Sequence, residues 1–172
     1  MIQSRLLIIS LIFTLLIGAT ACFRYSTTGT SIPADVNTIY IPFFPDNSSG
    51  GISNLNELLY QALVDRFTRR SRLRLADNPE TADIVLDGAI QSYSNRPFSI
   101  GADQAARLNR VEVVIRASYR YTREQQPLWD RSFTGFNEYD PTANALEGES
   151  AAARAAVENL ANTIFQESVG KW

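Results

Sequence analysis

The chain has 172 residues, 18 acidic and 16 basic side chains, no histidine, one cysteine and a formal charge of -2. Without imidazole and with a single thiol, no Ser-His-Asp triad, Cys-His dyad, histidine-bearing zinc site or internal disulfide can be built. The 45% apolar content and near-neutral charge exclude a basic nucleic-acid binder and a disordered acidic tail, and the length suits one domain with a sizeable core.

Arg5 is the only charge before the apolar-dominated run Leu6 to Ile17, which gives way to Gly18, Ala19, Thr20 and Ala21. The run falls short of the roughly 20 residues that a spanning helix needs, and small residues at its end suit a peptidase, so residues 1–21 read as a signal peptide. Two cleavage patterns fit: Ala19-Thr20-Ala21 matches ordinary secretion, and the same segment ending in Cys22 matches a bacterial lipobox. A free thiol at a secreted N-terminus would be open to oxidation, whereas acylation consumes it, so Cys22 is the expected lipid-anchor residue. Acyl chains at about 0.8 kcal/mol per buried methylene would hold the protein to one leaflet without spanning it. Phe23 differs from the aspartate that retains enteric lipoproteins at the inner membrane, which favours the outer membrane.

Residues 22–35 read as a polar, turn-rich tether, and 36–172 as a single domain. Val36 to Phe44 alternates Ile39, Ile41 and Phe43 against Thr38 and Tyr40, a strand that Pro42 either confines to a sheet edge or ends. Pro45 to Ile52 is a loop. Asn54 and Glu57 start an amphipathic helix through Leu55, Leu58, Leu59, Ala62, Leu63 and Phe67, with Arg69, Arg70 and Arg72 at its dipole-negative end. Leu73 and Leu75 form a short strand or its approach.

Ile84, Leu86 and Ile90 alternate in the next strand, with Gly88 at a bulge or a close backbone approach, and Arg96-Pro97 and Gly101 break the pattern. Val111, Val113, Ile115, Ala117, Tyr119 and Tyr121 mark a clear strand, and a turn at Glu124 to Pro127 returns it to Leu128 to Tyr139, with Gly135 at a bulge. A helix from about Ser150 to Val169 carries the stripe Ala153, Val157, Leu160, Ala161, Ile164 and Ser168. The expected fold is α+β: two helices on one face of a four-stranded mixed or antiparallel sheet, in the order β-α-β-β-β-α.

Phosphate-loop, dinucleotide, nucleophile-elbow and D-x-D-x-D patterns are absent, so no cofactor or metal is expected. A carboxylate pair for glycan hydrolysis stays chemically possible but has no pattern behind it. Fifteen of the sixteen basic residues are arginine. Arg66, Arg69, Arg70, Arg72 and Arg74 are the densest group, with Arg107 and Arg110 a second; both are candidate phosphate contacts, beside the plainer reading of solvated helix-end charge.

The opening Cys22-Phe23-Arg24-Tyr25-Ser26 with Gly29 and Ser31-Ile32-Pro33, the strand VNTIYIPFF, the helix LNELLYQALVDRF, ADIVLDGAIQSYS, ARLNRVEVVIRASY, LWDRSFTGFNEY and the closing IFQESVGKW resemble the LPS-assembly lipoprotein family, LptE, in its Bacteroidetes-like form. The resemblance spans essentially all of the mature chain and rests on the order and spacing of these segments. It implies a non-enzymatic outer-membrane lipoprotein that sits as a plug in the LptD β-barrel and helps deliver lipopolysaccharide, with LptD, lipopolysaccharide and the membrane as partners and no nucleic acid. The Arg66 to Arg74 group or Arg107 and Arg110 would then face lipid A or core phosphates. The alternative is a small periplasmic lipoprotein that regulates or scaffolds another envelope complex, such as a peptidoglycan-synthase activator or a TolB or curli-secretion-like domain.

Overall fold

A computed structural model describes residues 32–99 and 107–169. The predicted signal peptide, Cys22 and the tether to residue 31 lie outside the described residues, as do Gly101 and Trp172. In chain order the elements are β1 (Thr38–Tyr40), α1 (Leu55–Arg69), β2 (Arg74–Leu75), β3 (Ile84–Ser99), β4 (Arg107–Tyr121), β5 (Trp129–Tyr139) and α2 (Pro141–Val169). The strands form one mixed sheet ordered β2-β1-β3-β4-β5. β1 runs parallel to both β2 and β3, and β3, β4 and β5 form an antiparallel meander.

The α+β class is as expected, but the sheet has five strands rather than four, because Arg74 and Leu75 pair with Thr38 and Ile39. That pairing makes β1 an interior strand. Pro42 therefore ends its pairing rather than marking an edge: the chain leaves the sheet after Tyr40 and bonds the β3 backbone again where Asn47 and Pro45 meet Ile90. The break expected at Arg96-Pro97 is also absent, since β3 runs through to Ser99. β1 flanks β3 only at Ile84 and Val85, apart from the bridge at Ile90, so the edge beside Pro97 is free and its missing N–H costs no ladder bond.

The core lies between the sheet and the two helices. α1 buries Leu55, Leu58, Leu59, Leu63 and Phe67, and β4 buries the alternating set Val111, Val113, Ile115, Ala117 and Tyr119. α2 contributes mostly small residues, Ala152, Ala153, Ala156 and Ala161 with Val157, Leu160 and Ile164. Small side chains let this helix lie close to β5, and Gly135 completes the fit: a Cβ there would come within 2.3 Å of the Ala156 carbonyl. Gly135 is thus a close approach rather than the expected bulge, and its pairing with Val113 is regular. Gly88 likewise leaves room for the ring of Phe44 against β3. The register shift falls between Ile90 and Ser92, which puts Tyr93 and Asn95 on the helix-covered face.

Candidate functional site

Packing of α1 against α2 sets the candidate arginines into two separate places. Arg66, Arg69 and Arg70 leave the last turn of α1, and Arg154 projects from the middle of α2. They line an interhelical groove of about 610 Å3 with Asp65 and Glu158 on its walls and Leu58, Ala62, Val157 and Ala161 beneath. Leucine at 58 and alanine at 62 are the α1 stripe, so the same periodicity that builds the core brings residue 66 and residue 70 to the groove at successive turns.

The members differ in how they are satisfied. Arg69 pairs with Asp65 one turn back at 2.5 Å, with both side chains exposed. Arg66, Arg70 and Arg154 make no ion pair and no side-chain hydrogen bond among the described residues. Arg72 turns away from the groove: its guanidinium donates to the carbonyls of Ile32 at 2.6 Å, of Pro33, and of Val36 at 3.4 Å. It fastens the incoming chain to the end of α1. Arg74 lies on the edge strand β2, where its backbone N–H donates to Asn37 O at 2.9 Å.

Arg110 belongs to the far end of the uncovered sheet face. Its Nε and Nη2 donate to Glu138 Oε1 at 3.0 and 2.6 Å, and its guanidinium carbon lies 3.5 Å from the Phe98 ring centre and 4.6 Å from that of Phe136. Stacking between two rings with a carboxylate across the strand neutralises and immobilises this cation. Arg107 begins β4 opposite Ser99, and its side chain lies outside the described residues. Arg110 is a dozen residues along the meander from the Ile84 end where β1 joins, roughly 35 to 40 Å at strand spacing, so the two arginine groups do not share a site.

Elsewhere this face carries a cross-strand charge pair. Arg116 binds Asp130 through two bonds of 2.8 and 3.2 Å, which raises the arginine and holds the aspartate below its ordinary value. Asp87 is pushed up by desolvation, with Arg120 opposing the shift and Asp130 adding to it. Phe136, 49% exposed, is the most exposed large apolar side chain on this face.

Arg154 was not among the sequence-derived candidates. It stands alone among alanines, and nothing in the local pattern ties it to residues nearly ninety positions earlier; only the packing of α1 alongside α2, which run parallel with Phe67 against Phe165, could have suggested it. Asp83 is a second polar centre that the alternating pattern hid. Its Oδ2 accepts from the N–H groups of Asn37 and Thr38 at 2.8 and 3.0 Å and from the Thr38 hydroxyl at 2.9 Å.

A family model described as LptE, lipopolysaccharide-assembly, matches residues 36–168. Among solved structures, a minor lipoprotein from Acinetobacter baumannii is similar with a TM-score of 0.54 at 15% identity, over 78% of this chain and 94% of that one. An uncharacterized lipoprotein B from Nitrosomonas europaea is similar with a TM-score of 0.52 at 12% identity, over 85% of this chain and 90% of that one. At such identities the likeness is one of fold. No curated protein sequence matches.

Proposed function

The chain belongs to the LptE lipopolysaccharide-assembly family, and from that premise we propose that it is an outer-membrane lipoprotein, anchored through acylated Cys22, that occupies the lumen of an LptD β-barrel and assists delivery of lipopolysaccharide to the surface. The observation that carries the reading is the extent of the family match, which runs from the entry to β1 into the last turn of α2 and so takes in the whole sheet and both helices. Its task is binding and positioning, with no bond made or broken in the client.

The shape of the domain supports a place inside a barrel. Barrel lumens are lined by polar side chains, and a body seated in one needs a polar exterior with few mobile parts. The uncovered sheet face meets that need through cross-strand pairs, Arg116 with Asp130 and Arg110 with Glu138, that hold long side chains flat on the sheet. On the opposite side the helices present the arginine groove to whatever passes.

Affinity purification of the full-length protein from detergent-solubilised outer membranes, followed by mass spectrometry, tests the reading. The expected result is a stoichiometric, heat-modifiable barrel protein together with an N-terminal peptide bearing acyl chains on Cys22. Recovery of the protein without a barrel overturns the plug, and an unmodified Cys22 peptide overturns the anchor.

A further inference from the structure

Independently of the barrel role, we propose that the outer edge of β5, with the groove between it and α2, is a docking site for an extended, uncharged segment of a partner polypeptide, which adds a sixth strand to the sheet. The sheet ends on β5. The Thr122 N–H donates to Asp83 O, which sets the alternation along β4: Arg120, Ser118 and Arg116 turn their backbone groups to β3, and Tyr119, Ala117, Ile115 and Val113 turn theirs to β5. The β5 partners of that second set are Trp129, Arg131, Phe133 and Gly135, so Thr134, Phe136 and Glu138 point N–H and C=O out of the sheet. The Asn159 carboxamide marks this edge, since its Nδ2 donates to Phe136 O at 3.4 Å from the place where a neighbouring strand's N–H would stand.

The other edges do not invite a strand. β2 has two residues, and the free stretch of β3 carries Pro97, whose ring takes the place of an outward donor. β5 has no proline. Arg131 and Glu167 form an ion pair of 2.6 Å from strand to helix, and α2 begins at Pro141, just beyond the other end of the strand. Between these limits a groove of about 560 Å3 follows residues 134–138, with Asn159, Asn162 and Thr163 as its helix wall. Five residues at strand spacing span about 17 Å, room for an equal length of extended chain.

The lining selects the occupant. Backbone groups, carboxamides and a hydroxyl recognise peptide bonds, and the one ionised side chain in the lining, Glu138, is held by Arg110 at 2.6 Å, so the groove has no charge to match. A second copy does not fit. α2 lies directly on β5, where a Cβ at Gly135 would come within 2.3 Å of the Ala156 carbonyl. A copy pairing antiparallel through its own β5 would bring its α2 onto the same face about 4.8 Å away, well inside the 8–10 Å at which helices pack. The added strand must therefore have no helix packed on it. Its residue opposite Phe136 shares the uncovered face with that half-exposed ring, which favours a β-branched or aromatic side chain, and the residues on either side face the polar helix wall.

The probe is a nine-residue peptide that alternates threonine and serine around a central valine, added to the full-length acylated protein in non-ionic detergent and followed by residue-resolved amide exchange. With peptide bound, the amides of Thr134, Phe136 and Glu138 should exchange at least about tenfold more slowly, while Gly135 and Asn137, which face β4, stay unchanged. Methylating the peptide's valine and threonine nitrogens should remove the effect, and methylating its serine nitrogens should keep it. Thr134→Pro deletes an outward donor without breaking a bond to β4, and Thr163→Arg fills the groove from the helix surface; each should weaken binding at least about tenfold. The second variant leaves the strand intact and keeps the result readable should the proline variant fold poorly. No protection at saturating peptide, equal loss with both methylated peptides, or full affinity in the folded variants would each overturn the site. Protection that grows with protein concentration in the absence of peptide would give the edge to a second copy and overturn it as well.

Discussion

Asp83 shows how one side chain can join two parts of the sheet. Its carboxylate takes the N–H groups of Asn37 and Thr38, and the Thr38 hydroxyl both donates to it and accepts the Asp83 N–H at 3.0 Å. These bonds, the Asn37 N–H foremost, hold its carboxyl below the ordinary value of 3.8. A carboxyl lowered in the folded state stabilises the fold above its unfolded value, and that contribution is lost as pH falls through the folded value. Asp83→Asn should therefore lower stability by about 1 kcal/mol at neutral pH, and the gap from the native protein should narrow below about pH 4. Urea unfolding at neutral pH and at successive acid values checks it; a gap that stays constant with pH would assign the loss to packing. The sequence gives no sign of this role for Asp83, because an alternating pattern records which way a side chain points and not which backbone it meets. Gly88 was more legible, since a glycine within an apolar alternation has few reasons to be there, and close approach was one of the two offered.

Elements were most readable where periodicity and termination signals agreed, as in α1 and β4, and least where a cap outweighed composition. Helix α2 was expected to begin near Ser150, yet helical structure begins at Pro141 and is interrupted at Asn144 (φ -149°, ψ 96°). The first short turn is capped by Asp140, whose Oδ1 accepts from the Thr142 N–H and hydroxyl at 2.8 and 2.6 Å. Asn144 then restarts the helix: its Oδ1 accepts from the Glu147 N–H at 3.3 Å, and its Nδ2 donates to Glu147 Oε2 at 3.0 Å, a reciprocal cap three residues apart. Gly148 hid this turn from a propensity reading. It is needed because a Cβ there would stand 2.5 Å from the Tyr139 ring, while Tyr93 fixes the next residue by donating to Glu149 at 2.7 Å. Asn144→Ala should lower stability by about 1 kcal/mol and speed amide exchange in residues 145–149 relative to the helix centre. Amide exchange as slow as native in that turn would show that the contacts to β3 and β5, rather than the cap, hold it.

At the scale of the whole molecule, the meander and the two-layer class followed from the sequence, and the strand order did not. Alternation marks a strand at β1 but not its neighbours, since its parallel place between β2 and β3 is decided by the crossover of α1 and by the edge it finds. The arginine site was half legible for the same reason: Arg66 and Arg70 stand in one dense run, whereas Arg154 joins them only through helix packing. The start of the folded unit is the further consequence of that packing. Ile32 and Val36 are 7% and 6% exposed and belong to the core, and Arg72 holds the carbonyls of residues 32, 33 and 36 from the end of α1. The last residues read as tether, from Ile32 to Asp35, thus pack as part of the domain. A chain beginning at Ser31 should keep the stability of the domain, whereas one beginning at Asn37 gives up two buried aliphatic side chains, each contributing about 1.5 to 3 kcal/mol, and strips Arg72 of its acceptors. Denaturant midpoints of the two truncations measure the difference. Equal midpoints would mean that the Ile32 to Val36 segment rests on the core without supporting it, and that the tether is longer by those residues than the packing implies.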